Sequence, residues 1–167
     1  YVFPVDANKM FSLRNGNKVS IKDITLKATT DTSVVRGLDT DTSAVYYSKV
    51  FGVWLENVNN ITISTLDVNH FNGQGISVDN ADAVDMYHCN GSYCTWSPYW
   101  LVDVERTEAK GGVVEYNGYY GVQNTGYGIT VSTGGGTAIF DGVTARRNYR
   151  KGIDTHGCTN FTVKNCV

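Results

Sequence analysis

The chain has 167 residues, 41% of them hydrophobic and 18% charged, with a formal net charge of −2. This balance suits one folded domain and excludes an intrinsically disordered chain. It also gives no electrostatic reason to bind nucleic acid or an anionic membrane.

The 18 glycines, 11 tyrosines and only 2 prolines favour strands joined by tight turns. No apolar run reaches the length of a membrane span, so no membrane insertion is expected. The sequence opens at Tyr1 without a signal-peptide pattern, as a mature or excised segment of a longer protein would. A single domain is expected over residues 1–167.

In chain order, the first element is Phe11-Ser12-Leu13-Arg14-Asn15, followed by Asn17-Lys18-Val19-Ser20-Ile21. Apolar residues alternate in both, the period of a strand buried on one face. The pair returns 42 residues on, as Val53 to Asn57 and Asn59 to Ile63. That offset predicts two coils of 21, with a weakly marked coil around residues 30–50. Gly52-Val53-Trp54-Leu55 recurs 23 residues later as Gly75-Ile76-Ser77-Val78, then as Gly128-Ile129-Thr130-Val131 and, 24 residues on, as Gly152-Ile153-Asp154-Thr155. A step of 24 from Gly75 reaches Tyr99-Trp100-Leu101-Val102, a strand-like run without the glycine. Thr159-Asn160-Phe161-Thr162-Val163 repeats the second segment.

Each unit is strand, Asn/Gly turn, strand, turn, short strand. One unit cannot bury its own apolar face, whereas stacked copies bury a continuous core. Val53, Leu55, Ile76, Val78, Ile129, Val131 and Ile153 are the expected core positions.

The repeated Gly-Ile-x-Val and Asn-x-Thr-Ile segments, covering roughly residues 9–167, resemble the pectate-lyase-like right-handed parallel β-helix superfamily. The stretch from Ala145 to His156 is most similar to phage tailspike and capsular depolymerase β-helices. The resemblance implies an all-β solenoid of about six to seven coils, a polysaccharide partner, a virion or extracellular location and a homotrimer. The catalytic motifs of pectate lyases and polygalacturonases have no copy in the sequence, so no pectin-specific activity is implied.

Strand alternation assigns outward positions. One outward file runs Arg14, an unassigned position, Glu56, Asp79, Asp103, Ser132, His156. The other runs Ser12, an unassigned position, Trp54, Ser77, Leu101, Thr130, Asp154. Stacked strands lie about 4.8 Å apart, so Glu56, Asp79 and Asp103 would repel and raise at least one pKa. A carboxylic acid beside a carboxylate is the equipment of glycoside hydrolysis. Asp79 is the expected central acid, Glu56 its partner and Asp103 the residue that tunes them. A solvated face and a calcium site are the alternatives. No other cofactor is expected. Asp154 and His156 share a strand face, as a base and its orienting partner would, or as a surface His beside an acid.

Trp54 offers a flat platform to a sugar. The aromatic-rich loops at residues 89–100 and 113–127 suggest recognition through Tyr93, Trp96, Tyr119 and Tyr120; the alternative is that they close the edge of the stack. Arg146, Arg147, Arg150 and Lys151 form a basic corner, either a solvated turn or, through Arg147, a contact with an acidic polysaccharide. Cys89, Cys94, Cys158 and Cys166 fit small buried or turn positions, with Cys89–Cys94 and Cys158–Cys166 bridges as the alternative. The sequon asparagines Asn60 and Asn160 fit an Asn ladder inside the stack better than a glycan.

The expected activity is binding and cleavage of a bacterial surface polysaccharide, by hydrolysis or lyase chemistry. Glu56, Asp79, Asp103, Asp154 and His156 are the catalytic candidates. A non-catalytic adhesion or structural β-helix is the second class, and a secreted polysaccharide-modifying enzyme such as an epimerase the third.

Overall fold

The computed structural model describes residues 9–28, 50–71, 73–118, 125–132 and 136–167. These form eleven strands: β1 (Lys9–Lys27), β2 (Val50–Asn69), β3 (Gly73–Tyr87), β4 (Asn90–Ser92), β5 (Ser97–Lys110), β6 (Val113–Glu115), β7 (Tyr127–Ser132), β8 (Thr137–Asp141), β9 (Thr144–Arg146), β10 (Lys151–His156) and β11 (Asn160–Lys164). Every pairing is parallel, and each strand pairs with the equivalent segment of the next coil. The result is an all-β parallel β-helix with six described coils and three faces. No helix among the described residues is long and apolar enough to cross a membrane.

The chain turns its corners on single residues in the left-handed backbone region. The first corner is Asn15, Asn57, Asn80 and Asp103, with φ between 51° and 62°. The second is Asp23, Thr65, His88, Gly111, Gly142 and Asn165; the third is His70, Tyr93, Tyr116 and Arg147. Asn and Asp tolerate this conformation better than other non-glycine residues, which is why the first corner selects them. Their side chains also join across coils: Asn57 Nδ2 donates to Asn15 Oδ1 at 3.3 Å, and Asn80 Nδ2 to Asn57 Oδ1 at 2.8 Å.

The core expectation holds. Val53, Leu55, Ile76, Val78, Ile129 and Val131 are buried, and Ile153 is half-buried against them. The repeated glycine is set by close packing. A Cβ on Gly75 would lie 1.9 Å from Val68 Cγ1 and 2.8 Å from the Pro98 carbonyl oxygen.

Two register expectations are corrected. First, β1 pairs directly with β2, Leu13 beside Leu55 and Arg14 beside Glu56, so no coil stands between them. The coil expected around residues 30–50 falls almost wholly outside the described residues. Second, β5 sits one residue from the expected register: Tyr99 pairs with Ile76, Trp100 with Ser77, Leu101 with Val78 and Val102 with Asp79. Leu101 therefore points inward and is fully buried, and Asp103 leaves the outward file for the corner position below Asn80. A one-residue slip moves every side chain to the opposite face.

The four cysteines are free, Cys89 and Cys94 within the core. Burial pushes the Cys89 thiol up to about 11 and the Cys94 thiol to about 12, so both remain protonated structural groups. The Asn ladder is real but lies elsewhere than expected. Asn60 and Asn160 are exposed, whereas Asn117, buried inside the third corner, donates to Asn148 Oδ1 at 2.8 Å and accepts from the Cys94 amide at 2.9 Å.

Candidate functional site

The first face, formed by β7, β10 and the leading halves of β1, β2, β3 and β5, carries the candidate residues. Its corrected outward files are Ser12, Trp54, Ser77, Trp100, Thr130, Asp154 and Arg14, Glu56, Asp79, Val102, Ser132, His156.

Glu56 and Asp79 are direct neighbours across the β2–β3 pairing, about 4.8 Å apart at the backbone. The Glu56 carboxylate is engaged on one side: Oε2 accepts from Arg14 Nε at 2.7 Å and from Trp54 Nε1 at 3.3 Å. Asp79 is half-buried. Burial raises its pKa most, then the charge of Asp103, then that of Glu56. Asp103, although displaced to the exposed corner, still acts on Asp79 through its field. The three carboxylates do not form one file, and among the described residues no group of three or more His, Cys, Asp or Glu is placed to hold a metal ion.

A second cluster lies at the far end of the face. Asp154 is 4% exposed although it occupies an outward position. Its Oδ1 accepts from Lys151 Nζ at 2.6 Å, and its Oδ2 lies 3.1 Å from His156 Nε2. His156 was expected two coils beyond an acid of its own file. In the true register Asp79 is the nearest acid of that file, three strand steps or about 14 Å away. The structure thus brings Glu56 and Asp79 together, and Asp154 and His156 together, as two separate centres.

The aromatic residues divide differently from the expectation. Trp54 is half-exposed on the face. Trp96, expected at the surface, is buried, and its ring supports Trp100 edge-on at 5.3 Å. Trp100 shares the Trp54 file, where the expected register put Leu101; the 23-residue spacing of Asn57, Asn80 and Asp103 is the signal that places it. Tyr93 is 46% exposed, yet its ring is stacked between His70 at 5.0 Å and Tyr116 at 5.4 Å. It therefore presents an edge rather than a face. Arg147 ends that column, its guanidinium over the Tyr116 ring and hydrogen-bonded to the Tyr116 hydroxyl. Tyr119 and Tyr120 lie outside the described residues.

The second face provides a contrast. There Asp85, Arg106, Glu108 and Lys110 alternate in sign and pair at 2.6 to 3.5 Å, as do Asp141 and Lys164 at 3.2 Å. Such exposed pairs contribute little to stability and, among the described residues, leave that face without an unmatched acid of the kind Asp79 presents.

A family model described as "Right handed beta helix region" matches residues 10–167. No curated protein and no solved structure matches the chain.

Proposed function

Because this chain belongs to the right-handed β-helix family, whose fold is common among polysaccharide-acting enzymes, we propose that its first face binds and cleaves a bacterial surface polysaccharide. The observation that carries this reading is the pairing of Asp79 and Glu56. Two adjacent carboxyl groups stand in unlike surroundings, one half-buried with a raised pKa, the other ion-paired to Arg14. Divergent environments are how paired carboxylates divide acid and nucleophile roles. Asp79 holds a proton for the departing glycosidic oxygen. Glu56 forms a bond to the anomeric carbon as the C–O bond breaks, and water, giving its proton back to Asp79, then displaces Glu56 and releases the sugar. The one-strand separation suits the closer, retaining arrangement of about 5–5.5 Å. Trp54 and Trp100, in one file beside the pair, provide indole surfaces for sugars. By the same reading the chain works outside the cell or on a virion surface, as a homotrimer.

Release of reducing ends from a panel of purified capsular polysaccharides tests the assignment. Asp79→Asn is expected to lower turnover a hundredfold or more with the fold intact, the scale of losing a general acid. Unchanged turnover would remove Asp79 from the chemistry. If the unmodified chain binds a capsule without cutting any, the non-catalytic adhesion reading leads instead.

A further inference from the structure

We propose that Lys151 and His156, held in place by the buried Asp154, form a subsite for an anionic substituent (a carboxylate, sulfate or phosphate) of the glycan. The inference rests on the reading that the first face carries a glycan, and it adds the substrate's charge and its placement.

Asp154 is the starting point. An outward position on a solenoid is normally solvated, yet this carboxylate is 4% exposed, its Oδ1 hydrogen-bonded to Lys151 Nζ and its Oδ2 buried 3.1 Å from His156 Nε2 without a hydrogen-bond partner. A buried carboxylate persists only when it is paired and hydrogen-bonded. The pairing therefore fixes its partners. Lys151 Nζ and His156 Nε2 are brought to 3.4 Å from each other, while both side chains stay about half exposed. An ammonium has three donors. Asp154 Oδ1 takes one from Lys151, leaving two on a half-exposed Nζ that stands 3.4 Å from the exposed imidazole of His156.

The charge around the cluster points the same way. The flanking residues of the two files are Thr130 and Ser132, which are uncharged. Arg150 lies over the Tyr127 ring at 5.3 Å, and Arg147 over Tyr116 at 5.2 Å. Glu115 is already matched by Arg146 at 2.6 Å. This end of the face is thus cationic, whereas at the other end Arg14 matches Glu56 at 2.7 Å and Asp79 and Asp103 remain as acids. An anionic glycan is repelled by the second and drawn to the first. Its charged substituent then lies about 14 Å from the bond at Asp79, three strand spacings along the axis.

The experiment follows the imidazole ¹⁵N resonances of His156 in the full chain, together with tryptophan fluorescence. The titrants are methyl glucuronoside, glucose 6-sulfate, glucose 6-phosphate, methyl glucoside and inorganic phosphate. At least one charged sugar is expected to shift His156 saturably and raise its apparent pKa, and which one responds identifies the substituent. Methyl glucoside is expected to leave His156 unmoved. Lys151→Met should weaken the effect roughly tenfold, the loss of one charge-assisted hydrogen bond, and Lys151→Arg should retain it, which covers the case in which the Met variant fails to fold. If neutral and charged sugars perturb tryptophan alike while His156 does not respond, the anionic subsite is overturned and the glycan reading survives. If inorganic phosphate alone shifts His156 and no sugar perturbs tryptophan, the glycan reading falls and takes the subsite with it.

Discussion

Asp79 stands half-buried beside Glu56, two carboxyl groups on neighbouring strands. Alternation along Gly75-Ile76-Ser77-Val78 placed it outward beside Glu56, and the pairing agrees. Like-charge neighbours were the expected reason for a raised pKa, yet burial is the larger cause, and burial depends on neighbouring coils that no local pattern encodes. The shift also has a consequence for stability. The fold holds the Asp79 proton more tightly than the unfolded chain does, so the stabilisation from that proton is fully present below the ordinary value of 3.8. It is lost as pH rises through the raised native value. At neutral pH the ionised side chain is therefore a cost that Asn removes. Asp79→Asn should melt at a higher temperature than the unmodified chain at pH 7, and the difference should close near pH 3 in calorimetric scans. A lower melting temperature at pH 7 would mean that the fold favours the carboxylate, contrary to its half-buried place beside Glu56 and near Asp103.

At the scale of elements, the glycine-marked strands were legible because each carries its own punctuation. The strand β5 was not. Tyr99-Trp100-Leu101-Val102 is apolar throughout, so alternation cannot choose its register, and Pro98 stands where the glycine would have been. The first-corner residues settle it, because Asp103 takes the left-handed position 23 residues after Asn80. The same slip hid Trp100 and promoted Leu101 to the surface. Where the register was right, packing energetics follow from it. Ile129 on β7 is 2% exposed and lies between Tyr99 of β5 and Ile153 of β10. Its neighbours are fixed by ladders on both sides and cannot collapse into a void. Ile129→Ala should cost about 2–5 kcal/mol. A lowered denaturant midpoint with an unchanged slope is the expected signature, and a cost below about 1 kcal/mol would imply that the coil relaxes around the change.

At the scale of the whole molecule, a solenoid is stabilised by nearest-neighbour stacking, so its outer coils are held on one side only. The described residues show this at both ends. On β1, Phe11, Leu13 and Ile24 are 61%, 41% and 44% exposed around an apolar hollow of about 250 Å³ that reaches Val53 and Leu55. On β11, which pairs with β8, Phe161 and Val163 are 63% and 49% exposed. Unpaired strand edges with apolar side chains invite further strands. Two modes of association then compete. End-to-end stacking joins unlike surfaces and does not close, giving an open series of sizes, whereas a side-by-side trimer about a threefold axis closes. Sedimentation equilibrium separates them. The unmodified chain should show trimer together with larger, concentration-dependent species. Phe161→Lys combined with Val163→Lys places two charges on the exposed end and should abolish the open series while leaving the trimer, because a lateral contact does not use that surface. A doubly substituted chain that remains sharply monomeric at high concentration would sink the trimer and leave end-to-end stacking as the origin of all association.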